Sequence, residues 1–256
     1  MKTKILFSAI ALMAGSLIAA DAPADTKADP KAKDEVTAAA KALMGKNNYS
    51  WTTTVVVPAG SRFRPGPTTG QTEKDGYTHV AMSFGGNSTE MIIKGTNAAV
   101  SSPDGGWQSL ADLDADQGGP GRFMGAMARD FKAPAAQVGD LITGATAITK
   151  DGDAYSSDLA ESEVKTLLSF RIGGGASANV SDAKGTVKFW ITDGVLSKYE
   201  THVTGKVSFN GNDREVDRDS TVEIKDVNST KVTVPDDAQK KMNPAPVATD
   251  SKTTKM

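Results

Sequence analysis

Few side chains in this sequence could carry acid–base or metal chemistry. Histidine occurs twice in 256 residues, at His79 and His202, and cysteine is missing altogether. An imidazole could act as a general base or a metal ligand. Each histidine falls on the more polar parity of a predicted strand, and no carboxylate cluster stands at ligand spacing. Both are expected to be solvated strand residues. Asp112, Asp114 and Asp116 alternate like half of a calcium loop, but Gln117 replaces the turn glycine and Met124 stands near the place of the closing glutamate. They read as the acidic end of a helix. Gly118-Gly119-Pro120-Gly121 precedes Arg122 and a helix, where an anion could meet free N–H groups. That run matches neither a Walker loop nor a dinucleotide fingerprint, so it is taken as a helix break. Gly173–Gly175 is taken as a linker, and no serine sits in a G-x-S-x-G elbow. The sequence therefore assigns no catalytic residue, no metal ligand and no cofactor, and the chain is expected not to be an enzyme.

Composition narrows the classes further. Lys+Arg number 29 against Asp+Glu 31, a net charge of −2, and aromatics are 6%. There is no basic field for nucleic acid and little surface for base stacking. Without cysteine, disulfides, thiolate chemistry and a lipid-attachment cysteine are excluded. Residues 1–20 have the build of a signal peptide: Lys2 and Lys4, an uncharged apolar run Ile5–Ile18, then Ala19, Ala20, Ala22 and Ala24. Cleavage after Ala20 or Ala24 would give an exported, soluble, periplasmic or extracellular product with no remaining membrane anchor.

The elements that would position any site follow from periodicity. Residues 21–33 read as a flexible linker, and a helix is predicted over Asp34–Met44. A meander of about four strands should follow, with Trp51, Thr53, Val55 and Val57 on one parity, then Thr78, Val80, Met82 and Phe84. Trp107–Asp116 and Arg122–Phe131 suggest helices, the second striped by Phe123, Met124, Met127, Ala128 and Phe131. Pro134 restarts a third, with Ala135, Val138, Leu141 and Ile142 inward. Asp158 and Glu161 suggest a capping box before a helix at about Glu161–Phe170. Thr186–Val234 is the clearest stretch: long strands around Asp193-Gly194 and Asn210-Gly211, dipeptides suited to type I′ hairpins. Val187, Phe189 and Ile191 share one face, while Val195, Tyr199, Val203, Val207 and Phe209 share another parity, with Gly205 as the bend. Val232 and Val234 continue the pattern. A short helix from Pro235 to about Met242 and a disordered tail, residues 243–256, complete the chain.

Strands, then helices, then strands define an α+β fold. The expected architecture is a curled antiparallel sheet, an incomplete β-barrel, with helices packed on its concave side. Residues 34–242 would form that single half-barrel domain, with a helical insertion at about 107–142. This order resembles the exported lipid-carrier superfamily of LolA, LolB and LppX/LprG type. The resemblance rests on the helix Asp34–Met44, the meander Trp51–Ser101, the plug Trp107–Ile142 and the second sheet half Thr186–Val234. Trp190-x-x-Asp-Gly-x-Leu-x-Lys198 looks like a strand pair near the end of several such proteins, and Glu223–Pro235 resembles their closing strands. The resemblance implies a carrier that holds a lipid or other apolar small molecule. The lipobox cysteine of LolB and LppX has no counterpart here. Candidate ligand-lining residues are Trp51, Val55, Val80, Met82, Phe84, Phe123, Met127, Phe131, Val187, Phe189, Tyr199 and Phe209. The alternative is a non-enzymatic cell-envelope module, with an envelope protein as partner and a barrel filled by its own helices.

Overall fold

Period-two patterning draws this chain into strands, and the strands join one sheet. The computed structural model describes residues 29–61, 64–84, 87–116, 120–169, 179–209 and 212–243. The signal peptide, most of the linker, the Gly173–Gly175 run, the Asn210-Gly211 turn and the tail after Asn243 lie outside the described residues. Helix α1 (Pro30–Met44) precedes β1 (Asn48–Val56), β2 (Thr68–Glu73), β3 (Thr78–Phe84), β4 (Asn87–Lys94), β5 (Asn97–Ser101) and β6 (Trp107–Ser109). Helices α2 (Leu110–Ala115), α3 (Pro120–Asp130) and α4 (Pro134–Gly144) follow. Then come β7 (Thr149–Asp151), β8 (Ala154–Asp158), α5 (Glu161–Leu168), β9 (Asn179–Thr192), β10 (Val195–Phe209), β11 (Asn212–Lys225) and α6 (Asp236–Met242).

The strand order is β6-β5-β4-β3-β2-β1-β11-β10-β9-β8-β7, and each pairing is antiparallel. Strands β6 and β7 remain edges, so the sheet curls without closing. The two halves meet where β1 pairs with β11, in the register Trp51↔Ile224 and Thr53↔Val222. Alternation sorts the two faces. Met91, Val100, Val187, Phe189 and Val203 share the inner core with residues of α1 to α5. Ile92 and Ala99 turn outward and pack with Ala238 and Met242 of α6.

Several boundaries differ from the sequence reading, each for a local reason. Helix α1 begins at Pro30, not Asp34, because Asp29 caps it, accepting from the Lys31 N–H, and Pro30 supplies a favourable first position. The end of the supposed linker is therefore helix, with Ala32 buried. The Pro/Gly-rich loop after β1 gives way to β2, a strand of polar residues without an apolar signal. Trp107 opens a strand, not a helix. The capping box lies at Ser109 and Asp112, at the start of α2. Helix α5 has Ala160 at its N-cap and no side-chain cap, because Asp158 is engaged in β8 opposite Thr186. The last strand stops at Lys225, so Val232 and Val234 are not strand residues. Asp226 and Asn228 take positive φ values there and swing the chain away. That turn is locked to β1: Asn228 N–H donates to the Asn48 carbonyl, and Thr230 N–H to Asn48 Oδ1. The Asp193-Gly194 hairpin forms as its dipeptide dictates, with φ of 51° and 73°.

Glycine 70 marks the tightest constraint on the inner face. It faces Trp51 across the β1–β2 pair, and an added Cβ would stand 2.0 Å from Trp51 Cζ2. The indole lies where a side chain from β2 would go. Gly139, in α4, has open space around the same position. Gly70→Ala is expected to destabilise by about 2–3 kcal/mol through overpacking, and Gly139→Ala to stabilise by about 0.5–1 kcal/mol through helix propensity. Urea denaturation of the two variants beside the parent checks both signs.

Candidate functional site

The inner face of the sheet gathers half of the lining residues expected from sequence. Trp51, Val80, Met82, Val187, Phe189 and Tyr199 are all buried there, Val187 and Phe189 completely. They come from β1, β3, β9 and β10, and they alternate with outward residues because side chains on a strand alternate faces. Phe123, Met127 and Phe131 are half-buried and sit on the cover, not the floor. Phe131 stacks on Trp51 with ring centroids 6.2 Å apart and planes at 23°. Val55 is half-buried near the end of β1 and does not join the core. Phe84 and Phe209 end β3 and β10, and their side chains lie outside the described residues.

The floor includes residues that sequence reasoning passed over. Leu196 is buried because a register shift between Leu196 and Lys198 reverses the alternation there. A bulge of that kind leaves no mark in an apolar/polar pattern. Gly205 sits at the other shift of the same pair, where an added Cβ would stand 2.7 Å from Leu168 Cδ1 of α5. The bend assigned to Gly205 is thus also the seat of a helix.

Two of the covering helices are held differently. Helix α4 buries Pro134, Ala135, Val138, Leu141 and Ile142. Its first turn is also tied to the sheet by polar contacts. Tyr199 donates its hydroxyl proton to Gln137 Oε1 at 2.6 Å, and the Ala135 N–H points to Tyr49 Oη at 3.4 Å. Helix α3 buries Ala128 completely but keeps Phe123, Met124 and Met127 only half-buried. Its ion pair, Arg129 with Asp114 at 2.5 Å, is exposed and joins it to α2, not to the sheet.

The polar groups that drew attention in the sequence lie elsewhere. His79 Nε2 pairs with Glu90 Oε2 at 2.8 Å, and His202 Nδ1 with Asp219 Oδ1 at 2.8 Å, both on the outer face. Asp112 closes the α2 capping box and takes Lys241 Nζ at 2.9 Å, which with the Ser109 N–H holds its carboxyl down at about 2. Asp116 accepts from Gly121 N–H, so this carboxylate occupies the start of α3 where an anion was considered. Among the described residues no three His, Asp or Glu side chains converge as a metal site, and no helix is long and apolar enough to cross a membrane. One surface hollow of about 330 Å³ opens between Glu35 and Ala38 of α1 and Lys150, Tyr155 and Ile191. Another of about 360 Å³ runs along Ser50, Thr52, Gln71 and His79. Neither touches α3 or α4.

Solved structures similar to this chain include LprF from Mycobacterium bovis, at 13% identity and a TM-score of 0.43, covering 83% of this chain and 99% of that one. Lipoprotein LppX from Mycobacterium tuberculosis is similar at 11% identity and a TM-score of 0.43, covering 81% and 100%. A LolA superfamily protein from Nitrosomonas europaea is similar at 11% identity and a TM-score of 0.33, covering 79% and 94%. No family model matches the chain, and no curated protein matches it.

Burial pushes the Tyr49 hydroxyl up to about 12, partly offset by the Ala135 N–H, and burial raises Tyr199 further still. Both groups hold their protons more tightly folded than unfolded. The Tyr49 contribution is complete below the ordinary phenol value of 10.0 and disappears as pH rises through about 12, and the Tyr199 contribution is lost at higher pH still. Thermal melts by circular dichroism should fall steeply above pH 10, and Tyr49→Phe should flatten part of that fall. An unchanged alkaline slope in the variant would show that Tyr49 is not responsible.

Proposed function

We propose that this chain is an exported binding protein for a lipid or other apolar small molecule, seen here closed on itself, with α3 occupying the ligand's place. The half-buried stripe Phe123, Met124 and Met127 of α3, with Phe131 just after the helix stacked on Trp51, carries the reading. Methionine and phenylalanine can pack against irregular apolar shapes, so an acyl chain could replace them with little loss of contact. Helix α4 stays in place through its tyrosine ties, while the stripe of α3 is only half-buried and its Arg129–Asp114 pair is exposed. The floor for the ligand would be Trp51, Val80, Met82, Val187, Phe189 and Tyr199, with Val55, Phe84 and Phe209 toward the strand ends. Each methylene seated there gains about 0.8 kcal/mol. No covalent step is involved.

A second reading is favoured by the complete burial of Val187 and Phe189. In it the helices are a permanent filling and the chain is a non-enzymatic structural or interaction module.

The two readings part on one measurement. Native mass spectrometry of gently purified protein should show a co-purified apolar adduct. The neutral probe N-phenyl-1-naphthylamine should fluoresce on binding, and Phe131→Ala, which loosens α3 from Trp51, should raise probe affinity by about threefold or more. A protein without adduct that takes up no probe, in both parent and Phe131→Ala forms, is the self-filled module.

A further inference from the structure

Arg218 breaks the apolar pattern of the inner face. It stands on the same parity of β11 as Val216, Ser220 and Val222, and its partner on β10 is Val203. Its neighbours Asp217 and Asp219 turn outward, where Asp219 meets His202. Strand β1 ends at Val56, opposite Asp219, so Arg218 lies just beyond the floor built by Trp51 and Val222. The last turn of α5 covers it, and Nη2 donates to the Leu167 carbonyl at 2.9 Å. Its Nε is sealed from solvent and has no hydrogen-bond partner among the described residues. Burial lowers its pKa, and no carboxylate among the described residues offsets that burial.

A half-buried guanidinium whose Nε is sealed off, with one carbonyl partner among the described residues, is unfavourable. A valine or leucine would serve the inner face better, and water can satisfy the end of a surface helix. The guanidinium edge formed by Nε and Nη2 suits a carboxylate or phosphate, which it takes in two parallel bonds. Here that edge meets one neutral oxygen and leaves Nε idle.

We propose that Arg218 anchors the anionic head, carboxylate or phosphate, of an amphiphile whose chain runs from there along the inner face toward Val222 and Trp51. This rests on the apolar-ligand reading above and specifies its ligand class. The head sits where the long strands overhang β1, and the tail lies on the floor, so charge and apolar surface follow one another along a single face. Asp217 and Asp219 face away and do not repel the head.

The test is displacement of N-phenyl-1-naphthylamine from delipidated full-length chain by hexadecanoate, hexadecyl phosphate and hexadecanol, three ligands with one tail. At least one of the two anions should bind about tenfold or more tightly than the alcohol, and whichever binds better identifies the head. Arg218→Gln should abolish the preference and leave hexadecanol affinity unchanged, and Arg218→Lys should keep part of it. Equal binding of all three by the parent, or an intact preference in Arg218→Gln, overturns the anchor while leaving the apolar-ligand reading in place. Binding of none overturns both. Should Arg218→Gln fail to fold, the parent's head-group preference and the Arg218→Lys variant decide the matter.

Discussion

A sheet face carrying Trp51, Val80, Val187, Phe189 and Tyr199 cannot be left to water, and that requirement governs the rest of the molecule. The sheet does not close, so its own far edge cannot cover the face. Helices must do so, and five of the six described helices contribute buried residues to the inner core. The outer face, by contrast, is polar over most of its length, and α6 packs on it over Ile92 and Ala99. Fold and proposed function thus meet in one question, namely what covers the inner face at a given moment.

The cover is graded, and the grading has a chemical origin. Tyr49 and Tyr199 put hydroxyls inside the apolar floor, and these need partners. They find them in the first turn of α4, fixing that helix in both position and rotation. Helix α3 offers thioether and ring surface, half-buried over the core. An adaptable, half-buried stripe suits an element that exchanges places with something of similar polarity. The buried guanidinium of Arg218 adds one charged point to an otherwise neutral lining.

Much of this was legible from residue order. Alternation at Val187 and Phe189, and separately at Tyr199, showed which residues share a face, though not which face is concave, and the Asp193-Gly194 dipeptide gave its hairpin. The helical stripe of α3 was equally plain. What escaped had no periodic signature. Strand β2 is polar and carries no apolar alternation, yet Gly70 within it makes the slot for Trp51. Leu196 enters the core through a bulge. Val232 and Val234 kept an alternating pattern but follow a turn set by positive φ at Asp226 and Asn228, which tertiary contacts with Asn48 decide. Arg218 looked like one charge among many on a polar strand, because Asp217 and Asp219 hide the inward parity it shares with Val222.

The seam between β1 and β11 bears on how the chain reaches this state. Strand β1 is the first strand of the sheet and β11 the last, and each is the other's neighbour. The first half can form its meander early, since β1 to β6 pair in sequence order. Its inner face, however, gains its second wall only after almost the entire chain is available. Non-local pairing of this sort is slow to form because a long loop must close first. Until β11 arrives, the edge of β1 that pairs with it, rich in Thr and Val, would stand unpaired. A folding partner that shields this edge until β11 arrives would act at one defined seam of the sheet.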